Sequence, residues 1–374
     1  MALKAVHMSD VPNLDQVHDN PSLYSTQLVP KGRATSFLPP KFAVIGHRGN
    51  GMNMLSSSDG RMKAIKENSI LSFNTAAKFN VDYVEFDVQV TKDDFPIIFH
   101  DDFILTKEND IVNERRITEL TLAEFLSCGR QHELGNVGKS LYRKAKDGRI
   151  LSWMVENDDS HCTLQEAFQK VDSSLGFNIE LKFDDYIEYQ EHKLVHVLQV
   201  ILGVVFEYAK GRPIIFSTFQ PDVAQVIRKL QSTYPVFFLT NGGLEVYKDV
   251  RRNSLDEAIK LCLANGLQGI VSEVKAIFRN PGEIIRIKES NLSLLTYGQL
   301  NNVPEAVYMQ HLMGVNGVIV DFVKEIAEAV SDITNPIQVG EEENIGEEMV
   351  TKRPKFSQLE LSFLLKLIPE LVQY

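Results

Sequence analysis

From residue 42 onward, eight short β-rich runs alternate with stretches of helical periodicity, and between most of them there is enough chain for a crossover helix. That alternation predicts an α/β fold, a TIM (β/α)8 barrel, and one run that breaks the spacing predicts a small inserted subdomain after the second strand. The first run, residues 42–46, is Phe-Ala-Val-Ile-Gly, and the second is 82–87. The others are 177–182, 213–218, 235–239, 268–273, 292–296 and 317–321. Helices are expected at 67–78, 191–208, 221–231, 255–264, 281–289 and 303–313, where apolar positions recur at helical spacing. Chemistry is then expected where the strands end, at the carboxyl face of the barrel.

The exception is Pro96 to His100, which follows Asp87 too closely for a crossover, since that needs about a dozen residues or more. It must return as a hairpin through Lys92-Asp93-Asp94-Phe95, and a turn centred near Asp93 and Asp94 sets His100 opposite Asp87. Residues 88–162 therefore read as an insertion over the barrel mouth, with Gly- and Lys-rich loops and one helix at 120–126, after which 163–171 resumes the helical ring. The chain divides into an N-terminal arm (1–40), the barrel (41–335) and a tail (336–374). The tail begins as an acidic linker, Glu341 to Glu343 with Glu347 and Glu348, and ends in an amphipathic helix carrying Leu359, Leu361, Phe363, Leu364, Leu367 and Ile368. Such a helix is expected to bury its apolar face on its own barrel, with a partner or membrane contact as the alternative.

With 39 basic against 50 acidic residues the net charge is −11, which argues against binding nucleic acid or an anionic membrane. Any phosphate recognised here must be met locally. Cys128, Cys162 and Cys262 stand far apart in neither a zinc spacing nor a disulfide framework, so ordinary thiols in a reducing compartment are expected. The first 40 residues show no secretory pattern, and Asp10, Asp15 and Asp19 disfavour a plastid transit peptide. The expected location is cytoplasmic, with the plastid as alternative, and no membrane span is visible.

The strand ends carry the chemistry. In a strand, alternate residues share a face, so Glu85 and Asp87 point together while Phe86 points away. Two convergent carboxylates repel unless a cation lies between them. Glu180, on the adjacent strand 177–182, is the best third ligand, and Lys182 shares its face as a cation for phosphate. All-oxygen ligation of this kind favours Mg²⁺ or Ca²⁺ over zinc. Arg48 can grip phosphate oxygens with its planar fork, and His47 and His100 are left for proton transfer. A lone strand-end histidine or a lone Glu-x-Asp pair is usually an ordinary polar contact; what favours a site is that these groups converge on three strand ends and one hairpin. The other histidines, His7, His18, His132, His161, His192, His196 and His311, are not at strand ends and are expected to be structural. Together the convergent groups supply what cleavage of a phosphodiester requires: charge neutralisation, an activated nucleophile and a protonated leaving group.

Five segments in order, Gly46-His47-Arg48-Gly49, Lys66-Glu67-Asn68-Ser69, Val84-Glu85-Phe86-Asp87-Val88-Gln89, Phe99-His100-Asp101-Asp102 and Asn178-Ile179-Glu180-Leu181-Lys182, resemble the motif set of glycerophosphodiester phosphodiesterases, most closely the soluble plant-type members. The resemblance covers residues 42–323. It implies His47 and His100 as the acid/base pair, Glu85, Asp87 and Glu180 as metal ligands, Arg48 and Lys182 beside the phosphate, and Glu67 at the metal's edge or just behind it. It also implies small-molecule substrates such as glycerophosphocholine or glycerophosphoethanolamine, cut to glycerol 3-phosphate and an alcohol, with the glycerol 2-hydroxyl attacking first. The sequence departs from bacterial members at Leu295-Thr296-Tyr297-Gly298, which lacks their tryptophan, at Ser217-Thr218-Phe219, and at Lys66, which replaces a proline. These changes bear on the leaving alcohol, and breadth across choline, ethanolamine and glycerol head groups is expected. The competing readings are a phospholipase of the inositol-specific or sphingomyelinase D type, which needs a membrane-docking surface that the acidic balance disfavours, and a non-catalytic binding barrel.

Overall fold

The computed structural model describes residues 41–109, 111–131, 138–145 and 147–334. The N-terminal arm, the acidic linker and tail helix, and His132 lie outside the described residues. Eight parallel strands close into a barrel: β1 (Ala43–Gly46), β2 (Tyr83–Val90), β8 (Gly176–Leu181), β9 (Ile214–Thr218), β10 (Val236–Thr240), β11 (Gly269–Glu273), β12 (Ser293–Tyr297) and β13 (Gly317–Val320). Each pairs with the next around the ring, and β1 closes it by pairing with both β2 and β13. All eight expected strands are present.

Alternation along the strands sorts the side chains into two layers. Ile45, Ile215, Phe237, Leu239, Val271, Leu295 and Ile319 fill the barrel interior. Val44, Val84, Phe86, Ile179, Phe216, Leu294 and Val318 face outward into the layer under the helices. Large side chains buried like these contribute about 1.5–3 kcal/mol each, so the strand ends stand on a rigid base. The outer ring includes α1 (Ile70–Ala76), α3 (Leu164–Lys170), α4 (Glu191–Tyr208), α5 (Pro221–Leu230), α6 (Leu255–Asn265), α8 (Gly282–Glu289), α9 (Pro304–Met313) and α10 (Val323–Thr334), with a short extra turn, α7 (Val274–Arg279), after β11. No helix among the described residues is long and apolar enough to cross a membrane. The three cysteines are free and buried.

Three expectations need correction. The helix expected from residue 67 begins only at Ile70, because Ser69 caps it by accepting the N–H of Ser72, and Asn68 is left-handed at φ 53°. Glu67 and Asn68 therefore stand in the loop before the helix, free to reach into the site. The return strand β3 (Pro96–Ile98) does pair antiparallel with β2, but its loop has three residues, with Asp94 left-handed at φ 65°, rather than four. Three-residue hairpin loops place such a residue last. The register consequently sets Phe99, not His100, opposite Asp87, and the Phe99 N–H donates to the Asp87 carbonyl at 3.0 Å. Finally, the insertion is not a set of loops with one helix. It holds a four-stranded antiparallel sheet, β4 (Phe103–Glu108), β5 (Ile111–Arg116), β6 (Leu141–Lys144) and β7 (Ile150–Ser152), beside α2 (Leu122–Leu126). A separate small core of Ile97, Phe99, Ile117, Phe125, Leu141 and Trp153 holds it to the hairpin.

Candidate active site

Glu85 and Asp87 project from β2 and are almost fully buried. The parallel register pairs Asp87 with Glu180 on β8, so the third carboxylate stands beside the other two. Oxygens of Glu85, Asp87 and Glu180 lie within 4.8 Å of one another. Burial pushes the Glu85 carboxyl up, and the neighbouring Asp87 adds to this; burial likewise raises Glu180. Burial would raise Asp87 too, but the charges of His100, Arg48 and Lys182 and an Asn68 amide bond at 2.9 Å hold it low. Glu85 Oε2 accepts the Arg48 backbone N–H at 2.9 Å, while its buried Oε1 has no hydrogen-bond partner among the described residues. Three convergent hard oxygen donors, one of them orphaned, fit a divalent cation of the Mg²⁺ or Ca²⁺ type.

The predicted cations and histidines surround this cluster. Arg48 is buried in a left-handed conformation at φ 49°; its Nη1 donates to Glu67 Oε1 at 2.9 Å, and its Nε lies 3.6 Å from Asp87 Oδ2. Lys182 Nζ is 3.1 Å from Glu180 Oε1 and 3.8 Å from Asp87 Oδ1. Glu67 is placed differently from its neighbours: its carboxylate accepts from Arg48, from Arg143 Nη2 at 2.6 Å and from the Asn53 N–H, and it bears on the cluster through Arg48.

His47 leaves the end of β1 with its Nδ1 2.7 Å from Asp321 Oδ1 and its Nε2 4.0 Å from Glu85 Oε2. Despite burial, the partners His47, Met52 and Asn302 hold the Asp321 carboxyl low, so it is ionised and can only accept. The His47 proton is thereby fixed on Nδ1. Burial would lower His47, but the Asp321 charge and hydrogen bond outweigh it and raise its pKa. His100 is pushed the other way, down to about 4, by burial and by the Arg48 and Lys182 charges. Its Nδ1 meets Asp101 Oδ1 at 2.7 Å. One histidine is thus biased toward the charged form and the other toward the neutral form, the pattern expected of an acid and a base.

Asp321 and Arg143 escaped the sequence reading. The first was foreseeable, because closing the barrel pairs Gly46 with Val320 and so brings the residues after them together. Arg143 belongs to an inserted strand with no sequence signal. Of the remaining histidines, His161 is buried against Phe125 and Phe99, and His196 pairs with Asp94 on the outer surface. A cleft of about 240 Å³ opens beside Glu180 and Lys182 and is lined further out by Asp102, Phe219, Tyr247 and Arg252. Tyr297 packs edge-on to Phe219 with ring centroids 6.0 Å apart.

Comparison with known proteins places this site in a family. Residues 47–325 match the glycerophosphoryl diester phosphodiesterase family. The chain is 57% identical, over the full length of both, to glycerophosphodiester phosphodiesterase GDPD2 of Arabidopsis thaliana. It is 58% identical, again over both full lengths, to that plant's chloroplastic GDPD1. The fold is similar to an Oleispira antarctica phosphodiesterase solved with sn-glycerol-3-phosphate, at TM-score 0.54 and 19% identity over 79% of this chain and 98% of that one. It is also similar to a glycerophosphodiester phosphodiesterase from Parabacteroides distasonis, at TM-score 0.55 and 17% identity over 79% and 99%. The chain belongs to the glycerophosphoryl diester phosphodiesterase family, enzymes that hydrolyse glycerophosphodiesters.

Proposed function

We propose that the site cleaves glycerophosphocholine, glycerophosphoethanolamine and related diesters to glycerol 3-phosphate and the free alcohol, in phospholipid breakdown and phosphate recycling. The observation that carries the reading is the carboxylate triad, flanked by two cations and by two histidines biased to opposite protonation states. Glu85, Asp87 and Glu180 would hold Mg²⁺ or Ca²⁺, which when bound supplies charge neutralisation at the phosphate and a more acidic attacking hydroxyl. Arg48 and Lys182 attract and orient the anion. His100, neutral, accepts the proton of the attacking hydroxyl on Nε2. His47, steadied by Asp321 on Nδ1, gives an Nε2 proton to the departing alcohol as the P–O bond breaks. With the glycerol 2-hydroxyl as nucleophile, the first product is a cyclic phosphate diester. Water then opens the ring with the roles exchanged, His47 taking the water proton and His100 returning its own to the 2-oxygen.

The test is incubation of purified protein with each diester and Mg²⁺ or Ca²⁺, reading glycerol 3-phosphate and alcohol. Metal-dependent release of both supports the reading. Folded protein that releases neither with either ion rejects it, and turnover only of intact lipid in vesicles would favour the phospholipase alternative. We place the activity in the cytoplasm, with the plastid as the rival site that a fluorescent fusion of the full chain would reveal.

A further inference from the structure

Every group assigned to the chemistry so far sits on the barrel or its hairpin, yet the best-connected side chain at the site belongs to the inserted sheet. Arg143 projects from β6, where its guanidinium is largely buried. Its Nε donates to Asp101 Oδ2 at 2.7 Å, its Nη2 to Glu67 Oε1 at 2.6 Å, and its Nη1 to the Asn53 carbonyl at 3.2 Å. The Arg143 guanidinium carbon also lies 3.6 Å from the centre of the Trp153 ring. Trp153 itself is pinned, donating its indole N–H to Asn53 Oδ1 at 3.0 Å.

The two carboxylates that Arg143 joins each hold a different group of the site. Asp101 uses its other oxygen to hold His100, and Glu67 uses the same oxygen to hold Arg48. A continuous chain of charge-assisted bonds therefore runs from His100 through Asp101, Arg143 and Glu67 to Arg48. Only a planar fork with several fixed N–H groups can make all three of Arg143's bonds at once; a lysine offers one point of charge. We propose that Arg143 is a positioning residue that fixes His100 and Arg48 relative to each other, so that the inserted subdomain is a working part of the active site and not a cover over it. The proposal rests on the catalytic roles given above to His100 and Arg48.

Two measurements on the full chain test it, one of them independent of turnover. In protein labelled with ¹⁵N-histidine, the His100 Nδ1–H signal is expected to shift or exchange faster in Arg143→Ala, while that of His47, held by Asp321, stays. An unchanged His100 signal in folded Arg143→Ala overturns the proposal even if no diester is ever hydrolysed. In steady-state assays with glycerophosphocholine and Mg²⁺, Arg143→Ala and Arg143→Lys should each lower kcat at least tenfold with KM changed less than about threefold. Guanidinium ion at low millimolar concentration should restore part of the rate to Arg143→Ala and none to Arg143→Lys, whose ammonium fills the gap. Asp101→Asn combined with Arg143→Ala should lose far less than the product of the two single losses, because both cut the same chain. Losses that multiply, or a kcat within twofold of wild type in both Arg143 variants at unchanged Tm, reject the role. Should Arg143→Ala fail to fold, Arg143→Lys carries the same His100 and kcat readouts.

Discussion

Replacing Asp321 by asparagine should disable His47 without disturbing the barrel. The Asp321 carboxylate accepts from His47 Nδ1 at 2.7 Å and the Met52 N–H at 3.0 Å on one oxygen, and from Asn302 Nδ2 at 3.0 Å on the other. Asn302 cannot turn over to help, because its own oxygen already accepts the Asp321 and Phe322 N–H groups. Whichever way the new amide faces, its NH₂ meets a donor. What is lost is a charge-assisted bond, worth about 1.5–3 kcal/mol. If that bond matters mainly when His47 carries its proton in the transition state, kcat/KM should fall about 10- to 150-fold. Steady-state kinetics on glycerophosphocholine with Mg²⁺, beside a thermal melt, make the measurement. A kcat/KM within about threefold of wild type at unchanged Tm would refute the reasoning, and so would a rate loss that only tracks unfolding.

His47→Ala and His100→Ala should each cut kcat by on the order of 10²-fold or more with the circular dichroism unchanged, as removing a general acid or base does. Exhaustive chelation should abolish turnover, with Mg²⁺ or Ca²⁺ restoring it; each active ion should also raise Tm in a concentration-dependent way that Glu85→Gln weakens. Gly51, at φ +106°, has the Asp321 carbonyl where a Cβ would go, so Gly51→Ala should lower both Tm and kcat by pushing the His47 loop off its partner. His161 is buried and lowered to about 3, by burial and by Lys66, so below its unfolded value near 6.5 only the unfolded chain takes up the proton. Stability should therefore drop as pH falls from about 6.5 toward 4, by at most about 1.4 kcal/mol per pH unit from this residue. Denaturant melts should show a shallower acid loss in His161→Gln, and an identical slope would contradict the assignment.

The barrel was legible because its strands are buried on both faces. Segments such as Val44-Ile45 and Phe237-Phe238 put apolar side chains into both the interior and the helix layer, and a continuous apolar run results. The carboxylate triad was legible because a period of two aims Glu85 and Asp87 together and the predicted neighbouring strand brings Glu180 beside them. The inserted sheet hid itself for the opposite reason. β5, Ile-Val-Asn-Glu-Arg-Arg, is exposed or half-exposed at every position, so no alternation marks it. The hairpin register turned on whether Asp94 would take a left-handed conformation, a choice worth little energy in an aspartate and invisible in its neighbours. Asp321 was missed because one acidic residue at a strand end carries no pattern; only the ring closure gives it meaning.

That closure ties function to the order in which the chain is made. His47 and Asp321 stand 274 positions apart, on residues that follow the first and last strands of the ring. During synthesis the imidazole emerges early, with the carboxylate triad complete by residue 180, while the group that steadies its proton arrives only when the eighth strand is laid against the first. A nascent chain carrying nearly every proposed reactive group would therefore lack the partner that steadies the His47 proton until the ring shuts.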